Sequence, residues 1–237
     1  PPRYISTVDS GNLAGMLLTL RQGIIAIPDQ PIIGSQLFDG LYDTLLILKD
    51  EQKKTEDIQS FQKNLDAIRN LHPITLSALK PLVEKLVETA ERIAADSTEI
   101  NLANRDIWAN SLLSQCKNVV REISILMPWA LLPPVPPRFA AIPGLDTIPT
   151  LAELSMLEGK LSTQLNDLVE GELTVAEKQW VDIFSDQIEE SGKLAKSRIA
   201  SIDNLGMICQ DLSNMEYDFL YDRSQHLLSI GYNADEH

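Results

Sequence analysis

Residues 4–15 read YISTVDSGNLAG, and the apolar run Leu13–Leu20 begins inside this stretch. Three short polar residues stand where a helix N-cap belongs: Asp9, Ser10 and Asn12. Such side chains can accept hydrogen bonds from the free N–H groups of a first helical turn. Gly11 and Gly15 carry no side chain, which would allow another backbone or a ligand to approach closely. We predict a strand-to-helix corner that presents polar groups; a plain, well-capped helix is the alternative.

The end of the chain carries a second pattern that differs from the helical middle. Residues 217–222 read YDFLYD and residues 228–233 read LSIGYN. The hydrophobic period changes here, so the pattern predicts a β-hairpin with strands over 219–221 and 227–230. Residues 222–225 would form its turn.

Both ends resemble the cyclic β-1,2-glucan synthases, which are very large bacterial membrane polypeptides. Residues 2–15 resemble the beginning of their central, glucoamylase-like region. Residues 217–222 and 228–233 resemble the start of the conserved block of that same region, in the same order. The part between is similar only in its helical character. Met16 departs from the pattern, since many relatives are expected to carry a histidine there, so position 16 receives no polar role.

The resemblance implies a mainly α fold: a helical array that is part of, or appended to, an (α/α)6 toroid, with a C-terminal β-hairpin. It implies a fragment from the region that binds linear β-1,2-glucan and closes it into rings by transglycosylation. The catalytic acids would lie beyond this stretch, so no catalytic residue is transferred and the fragment alone is expected to be inactive. Five residues are candidates for sugar contact: Asp9, Asn12, Asp222, Tyr232 and Asn233.

The resemblance also implies partners and a location. The partners would be a β-1,2-glucan oligosaccharide and the flanking domains of the same polypeptide, and the location the cytoplasmic portion of a bacterial inner-membrane protein. This segment has no apolar run of the ~20 residues that a membrane span needs. We therefore predict no direct membrane insertion by it.

The negative charge of the chain argues against nucleic acid as a partner. The chain has 237 residues, with 34 acidic against 20 basic side chains and a net charge of −14. Nucleic-acid binding needs basic clusters that neutralise phosphates, and none is visible.

Cys116 and Cys209 fall in apolar helical patterns and are predicted to be buried thiols rather than a disulfide. His72, His226 and His237 match no metal spacing, and no cofactor motif is present.

Five segments are predicted from composition and period: an opening segment 1–30, a helical segment 31–127, a Pro-rich crossover 128–149, a helical segment 150–216 and a hairpin segment 217–237. Helices are predicted over residues 10–25, 35–50 and 101–127, and from 55, 75, 150 and 174 onward, the last with a possible break near 203–206. Capping boxes open two of them, at Thr150 and Thr174. Seven prolines between residues 128 and 149 predict an extended path, held against the helices by its large apolar side chains.

Two hypotheses of different classes remain open from the sequence. The chain is either part of a sugar-handling enzyme or a helical scaffold that braces neighbouring domains without touching sugar. A protein-interaction domain unrelated to sugars is a third. Acidic residues such as Glu153, Glu158, Glu189 and Glu190 are predicted to be solvated helix faces. Trp108, Trp129 and Trp180 are predicted to be core residues rather than sugar platforms.

Overall fold

The computed structural model describes residues 3–51, 55–71, 75–95, 103–140, 142–161, 165 and 172–235. The chain is mainly helical, with small antiparallel strand pairs. It divides into two compact units. The helical unit is Gln30–Lys196, and the terminal unit combines Pro1–Asp29 with Ser197–His237.

The helices are α1 (Thr7–Ile25), α2 (Ser35–Glu51), α3 (Glu56–Arg69), α4 (Leu76–Ala95), α5 (Ala103–Leu126), α6 (Leu151–Ser155) and α7 (Val175–Ser213). The strands are β1 (Tyr4–Ser6), β2 (Tyr221–Asp222), β3 (Leu227–Leu228) and β4 (Gly231–Asn233). The boundary between the two units falls inside α7.

Four helices of the helical unit form a bundle. Helix α2 packs against α3, α3 against α4, α4 against α5, and α5 returns to α2, so the contacts close into a ring. Each helix contributes an apolar stripe with a period of three to four residues. The residue spacing predicts such a stripe for α3 at Ile58, Phe61, Leu65 and Ile68, and all four side chains are buried. For α2 the same spacing predicts a stripe at Leu37, Leu41, Leu45 and Leu48. The last three are buried, and Phe38 is buried in place of Leu37.

Polar contacts join the neighbouring helices of this bundle. Three exposed ion pairs lie at 2.8–2.9 Å: Asp39–Arg69, Asp57–Arg92 and Glu91–Lys117. Exposed pairs of this kind contribute only about 0–1 kcal/mol each. Inside the bundle, Gln115 of α5 donates its amide to the buried hydroxyl of Thr44 in α2 at 3.1 Å. The apolar stripes therefore carry the stability, and the polar contacts favour one register.

The Pro-rich segment is less extended than predicted. Two short 3-10 turns, Pro128–Leu131 and Pro137–Phe139, interrupt it. Proline is well placed at the first position of such turns because its missing N–H would have no partner there. Trp129 and Phe139 are buried. The end of the segment is held by backbone hydrogen bonds, since Ile32 donates its N–H to the Pro149 carbonyl at 3.0 Å and Leu76 of α4 donates to the Asp146 carbonyl at 2.9 Å.

Two further helical predictions are corrected by the structure. Helix α7 continues without a break through Asp203, Asn204 and Gly206. Gly206 is buried, and a Cβ added to it would lie 3.0 Å from Cγ2 of Ile25, so glycine permits the approach of α1. The sequence predicts Pro81 in the first turn of its helix, where proline is tolerated, but Pro81 lies further inside α4. Helix α5 begins at Ala103 in the structure, and the predicted start at Asn101 lies outside the described residues.

Both predicted capping boxes are present. At the start of α6, Thr150 and Glu153 exchange backbone-to-side-chain hydrogen bonds of 2.9 and 3.0 Å. At the start of α7, Thr174 and Glu177 do the same at 2.9 and 3.2 Å. Cys116 and Cys209 are both buried free thiols. Along the described residues, no helix combines the length and the apolar character needed to cross a lipid bilayer.

The terminal unit buries little of its apolar surface. Among its described residues, four are buried: Pro28, Gly206, Cys209 and Leu220. Helix α1 buries none. Large apolar side chains are instead exposed along α1 and the second half of α7: Leu13, Met16, Leu20, Leu205, Ile208 and Leu212.

Candidate functional site

The two ends of the chain meet in one small antiparallel sheet. Strand β1 pairs with β4, with Tyr4 opposite Asn233, Ile5 opposite Tyr232, and Ser6 opposite Gly231. Backbone hydrogen bonds extend the pairing on both sides, from Thr7 to Ile230 at 3.0 Å and from Ala234 to Arg3 at 2.8 Å. The opening and closing segments of the described chain are therefore neighbours in space.

A glycine makes this pairing possible. A Cβ built on Gly231 would collide with the hydroxyl and ring of Tyr4 and would lie 2.6 Å from the Ile5 carbonyl oxygen. Real Cβ atoms do not approach that closely, so the ring of Tyr4 occupies the space that a side chain would need. The glycine in the closing segment therefore has a packing role that only the structure reveals.

The predicted helix start is three residues too late. Helix α1 begins at Thr7, and Ser6 is its N-cap, accepting the backbone N–H of Asp9 at 3.2 Å. Asp9, Ser10 and Asn12 were predicted at the cap, but all three lie inside the helix. Ser6 takes the cap because pairing with β4 holds it in extended geometry up to the first helical residue.

Asp9 and Asn12 are exposed candidates on one helix. They are three residues apart and therefore lie on the same side of α1. Asp9 is in the first turn, where a carboxylate is favoured by the positive end of the helix dipole. Gly11 and Gly15 were predicted to allow a close approach, but a Cβ on either would meet no described atom within 4 Å. No contact in the described residues explains these two glycines.

Asp222 serves the turn of the predicted hairpin. The hairpin is confirmed with shorter strands: Tyr221 pairs with Leu228 and Asp222 with Leu227. The Asp222 carboxylate accepts the Ser224 hydroxyl at 2.7 Å, the Ser224 N–H at 2.8 Å and the Gln225 N–H at 3.2 Å. Those hydrogen bonds, the Ser224 hydroxyl first, hold the pKa of Asp222 below its ordinary value. Its turn role accounts for much of its hydrogen-bonding capacity.

Tyr232 and Asn233 lie in β4, in the sheet formed by β1 and β4. The ring of Tyr232 meets that of Phe219 edge to face, with centroids 5.5 Å apart. Asn233 accepts the backbone N–H of Asp235 at 3.2 Å, which is a local turn contact. Of the five predicted sugar contacts, these two are brought directly beside the opening segment, whereas Asp222 belongs to the second strand pair.

Sequence reasoning missed three exposed aromatic rings near this sheet. Tyr4, Phe219 and Tyr221 are each about half exposed. Their rings are available to stack on apolar faces of a ligand, as aromatic side chains commonly do. The distribution of tyrosine along the sequence could have pointed to these rings, because four of the five tyrosines lie in the terminal unit: Tyr4, Tyr217, Tyr221 and Tyr232. The terminal site is defined as the three rings of Tyr4, Phe219 and Tyr221 together with the five predicted residues Asp9, Asn12, Asp222, Tyr232 and Asn233.

The tryptophans belong to the helical unit and are not part of the terminal site. Trp129 and Trp180 are buried, as predicted for core residues. Trp180 stacks between Phe139 at 5.4 Å and Phe184 at 4.7 Å, measured between ring centroids. Trp129 donates its indole N–H to the Leu145 carbonyl at 3.2 Å. Trp108 is half-buried on α5.

The chemistry available at the terminal site is binding through hydrogen bonds and ring stacking. Within the described ranges, no three His, Cys, Asp or Glu side chains are grouped to hold a metal ion. His226 contacts the Tyr221 hydroxyl through Nδ1 at 3.2 Å, while His72 and His237 lie outside the described residues.

Comparison with models of known protein families finds no match for this chain, and comparison with curated proteins finds none either.

Proposed function

We propose that this chain is a fragment of a cyclic β-1,2-glucan synthase, from the region that binds linear β-1,2-glucan and cyclises it by transglycosylation. The observation that carries the proposal is the pairing of β1 with β4. The two segments that resemble this family are more than 200 residues apart in sequence, yet they form one sheet. In the proposed parent protein, this sheet lies in or beside an (α/α)6 toroid.

The side chains around the sheet suit a neutral sugar chain. Exposed rings such as Tyr4 and Tyr221 can stack on the C–H faces of glucose units. Short polar side chains such as Asp9 and Asn12 can hydrogen-bond hydroxyl groups. The net charge of −14 disfavours anionic ligands, because they would be repelled by the acidic surface. The proposed contribution is binding and guidance of the glucan, with the catalytic acids supplied by the rest of the parent polypeptide.

Titration with linear β-1,2-gluco-oligosaccharides tests this proposal. The readout should be backbone amide NMR shifts or binding heat, because the tryptophans lie in the helical unit and not at the terminal site. Millimolar sugar is expected to shift the amides of residues 4–12 and 221–233. Tyr232→Ala should weaken the response. Cello-oligosaccharides, with the same sugar units but another linkage, are the control. No shift in these two ranges, or equal shifts with both sugars, would contradict the proposal.

A helical scaffold that braces neighbouring domains is the second candidate. It is favoured by the exposed apolar side chains of α1 and α7, with Met16 71% and Leu212 58% exposed. Contiguous exposed apolar surface is typical of protein contact sites. Hydrogen exchange of α1 amides can separate the two candidates. A scaffold predicts slower exchange in the longer parent polypeptide than in this chain, with no sugar response in either.

A further inference from the structure

A cavity lies between the Pro-rich segment, the start of α4 and the first half of α7. Its volume is about 300 Å³, and it is partly open to solvent. This volume is at the lower end of the range of small-molecule sites, about 300–1,000 Å³. We call it the Trp129 cavity. Its lining residues all belong to the helical unit, so it is separate from the terminal site.

Aromatic and aliphatic side chains form most of the lining. Trp129 and Trp180 each keep 7% of their surface exposed, whereas Phe184 is fully buried between them and contacts both rings. The Pro-rich segment adds four further residues: Leu132, Pro133, Pro134 and Val135. Such a lining favours a ligand that can bury an apolar group.

The two tryptophan rings are fixed by contacts inside the protein. Trp180 is stacked between Phe139 and Phe184, with ring centroids 5.4 and 4.7 Å away. The Trp129 indole N–H donates to the Leu145 carbonyl at 3.2 Å. Because the rings are already held in place, a ligand would not have to order them, and this lowers the free-energy cost of binding.

One exposed carboxylate, that of Asp146, adds charge to this lining. Its Oδ1 accepts the Ser77 backbone N–H at 2.7 Å, and its Oδ2 accepts the Ser77 hydroxyl at 2.7 Å. These two hydrogen bonds orient the carboxylate, and each oxygen can still accept a further donor. Among the lining residues that the structure describes, Asp146 is the only charged one and none is basic.

The two parts of the lining define the ligand by its chemistry. An apolar group fits against the tryptophan rings, and a positively charged donor fits the Asp146 carboxylate. An ammonium group has three N–H donors and no acceptor, so it matches a partner that only accepts. Carboxylate and phosphate ligands are disfavoured, because Asp146 and the net charge of −14 repel them.

We propose that the Trp129 cavity binds a small organic amine, whose apolar group lies against Trp129 and Trp180 and whose ammonium group pairs with the Asp146 carboxylate. This inference goes beyond the proposed function, since it concerns another unit of the chain and a cationic ligand instead of a neutral sugar. Either can therefore fail without the other.

Three probes that share a phenyl ring on a two-carbon chain test the inference: phenethylammonium, phenethyl alcohol and phenylpropanoate. The readout is the NMR signals of the indole N–H groups in the full chain. Millimolar phenethylammonium is expected to shift the signals of Trp129 and Trp180 but not that of Trp108, which does not line the cavity. The alcohol should bind roughly twofold to fivefold more weakly, as expected for the loss of an exposed ion pair, and phenylpropanoate more weakly still.

Two results of this titration would overturn the inference. One is the absence of a shift at both Trp129 and Trp180. The other is an affinity for phenethylammonium that does not exceed the affinity for the alcohol or for phenylpropanoate, because the carboxylate would then have no part in recognition.

Asp146→Asn separates a ligand contact from a structural carboxylate. The amide keeps an oxygen for the Ser77 N–H but removes the charge. Binding of phenethylammonium should weaken roughly twofold to fivefold, while binding of phenethyl alcohol should not change. Asp182→Asn removes an exposed carboxylate of α7 outside the lining and should change neither affinity. Equal losses for both probes in Asp146→Asn, or no loss for either, would refute the assignment.

Leu132→Ala tests the apolar part of the cavity. It removes a lining side chain and should weaken phenethylammonium and phenethyl alcohol to the same degree. Leu131→Ala is the control, because the neighbouring side chain is outside the lining and 49% exposed, so both affinities should stay unchanged. Unchanged binding of both probes in Leu132→Ala would show that they bind elsewhere and would overturn the inference.

Discussion

The hydroxyl end of the Tyr4 ring fills the space that a Cβ on Gly231 would occupy, where strands β1 and β4 meet. Tyr4 and Gly231 are diagonal neighbours in the β1–β4 pair, since Ser6 is directly opposite Gly231. An aromatic ring can reach across such a diagonal when the facing residue carries no side chain. Pairing of the two ends therefore depends on one glycine that the hairpin pattern alone does not explain.

Gly231→Ala should weaken the β1–β4 pair. The new methyl group would overlap the Tyr4 ring and the Ile5 carbonyl, and overpacking of this kind costs about 1–3 kcal/mol. Hydrogen exchange at Thr7 and Ala234, whose amides bond across the pair, should become faster. Gly11→Ala is the control, because its Cβ meets nothing and the helix should gain about 0.5–1 kcal/mol. Unchanged exchange in Gly231→Ala would show that Tyr4 can move aside freely.

Phe139→Ala should destabilise the helical unit by about 3–5 kcal/mol, the usual cost of removing a buried aromatic side chain. Its ring holds the Pro-rich segment against Trp180. Urea denaturation followed by tryptophan fluorescence measures the change. Leu131→Ala alters the same segment at a side chain that is 49% exposed, and should stay within about 0.5 kcal/mol of the native protein. Equal effects of the two substitutions would mean that the segment is not anchored by its buried rings.

The Cys116 thiol should be unreactive in the folded protein. Burial inside α5 raises its pKa to about 12, so almost no thiolate forms at pH 8.5. Because the thiolate is the reactive species, iodoacetamide should modify Cys116 only after unfolding in urea. Peptide mass spectrometry of folded and unfolded samples gives the measurement. Rapid labelling of Cys116 in the folded state would indicate local opening of the bundle around α5.

Glu177 should make the stability of the α7 start depend on pH. Hydrogen bonds from the Thr174 backbone N–H, then from its hydroxyl, hold the pKa of Glu177 below its ordinary value. The unfolded chain therefore binds the proton more readily than the folded one. The stabilisation is complete above the unfolded pKa, about 4.3, and is lost as pH falls through the folded value.

Glu177→Gln should thus lower the urea midpoint at pH 7, and the difference from the native protein should shrink toward pH 3. Glu84→Gln changes an exposed carboxyl on α4 and is the control; its midpoint should follow the native protein at both pH values. If the difference in urea midpoint between Glu177→Gln and the native protein stayed constant from pH 7 to pH 3, the ionised carboxylate of Glu177 would not be the source of the stabilisation.

Features that depend on local chemistry could be predicted from the sequence. The apolar stripe of α3 and both capping boxes follow from side chains three or four residues apart, which one helix brings together wherever it lies. The hairpin at Asp222 is equally local, because its turn is closed by neighbours two and three residues along. Buried positions of Cys116 and Trp180 also follow from their place on apolar stripes.

Features that depend on distant parts of the chain were decided by tertiary structure. Ser6 rather than Asp9 caps α1, because strand β4 holds the residues before Thr7 in an extended form. Gly206 does not break α7, because it faces Ile25 of another helix.

By itself, the sequence determined which segments are helices, where two of them are capped, and that a hairpin follows the last helix. Tertiary structure alone decided that strands from the two ends of the described chain pair in one sheet. The physical reason is range: hydrogen bonds and apolar periods act over a few residues, whereas packing selects partners from anywhere in the chain.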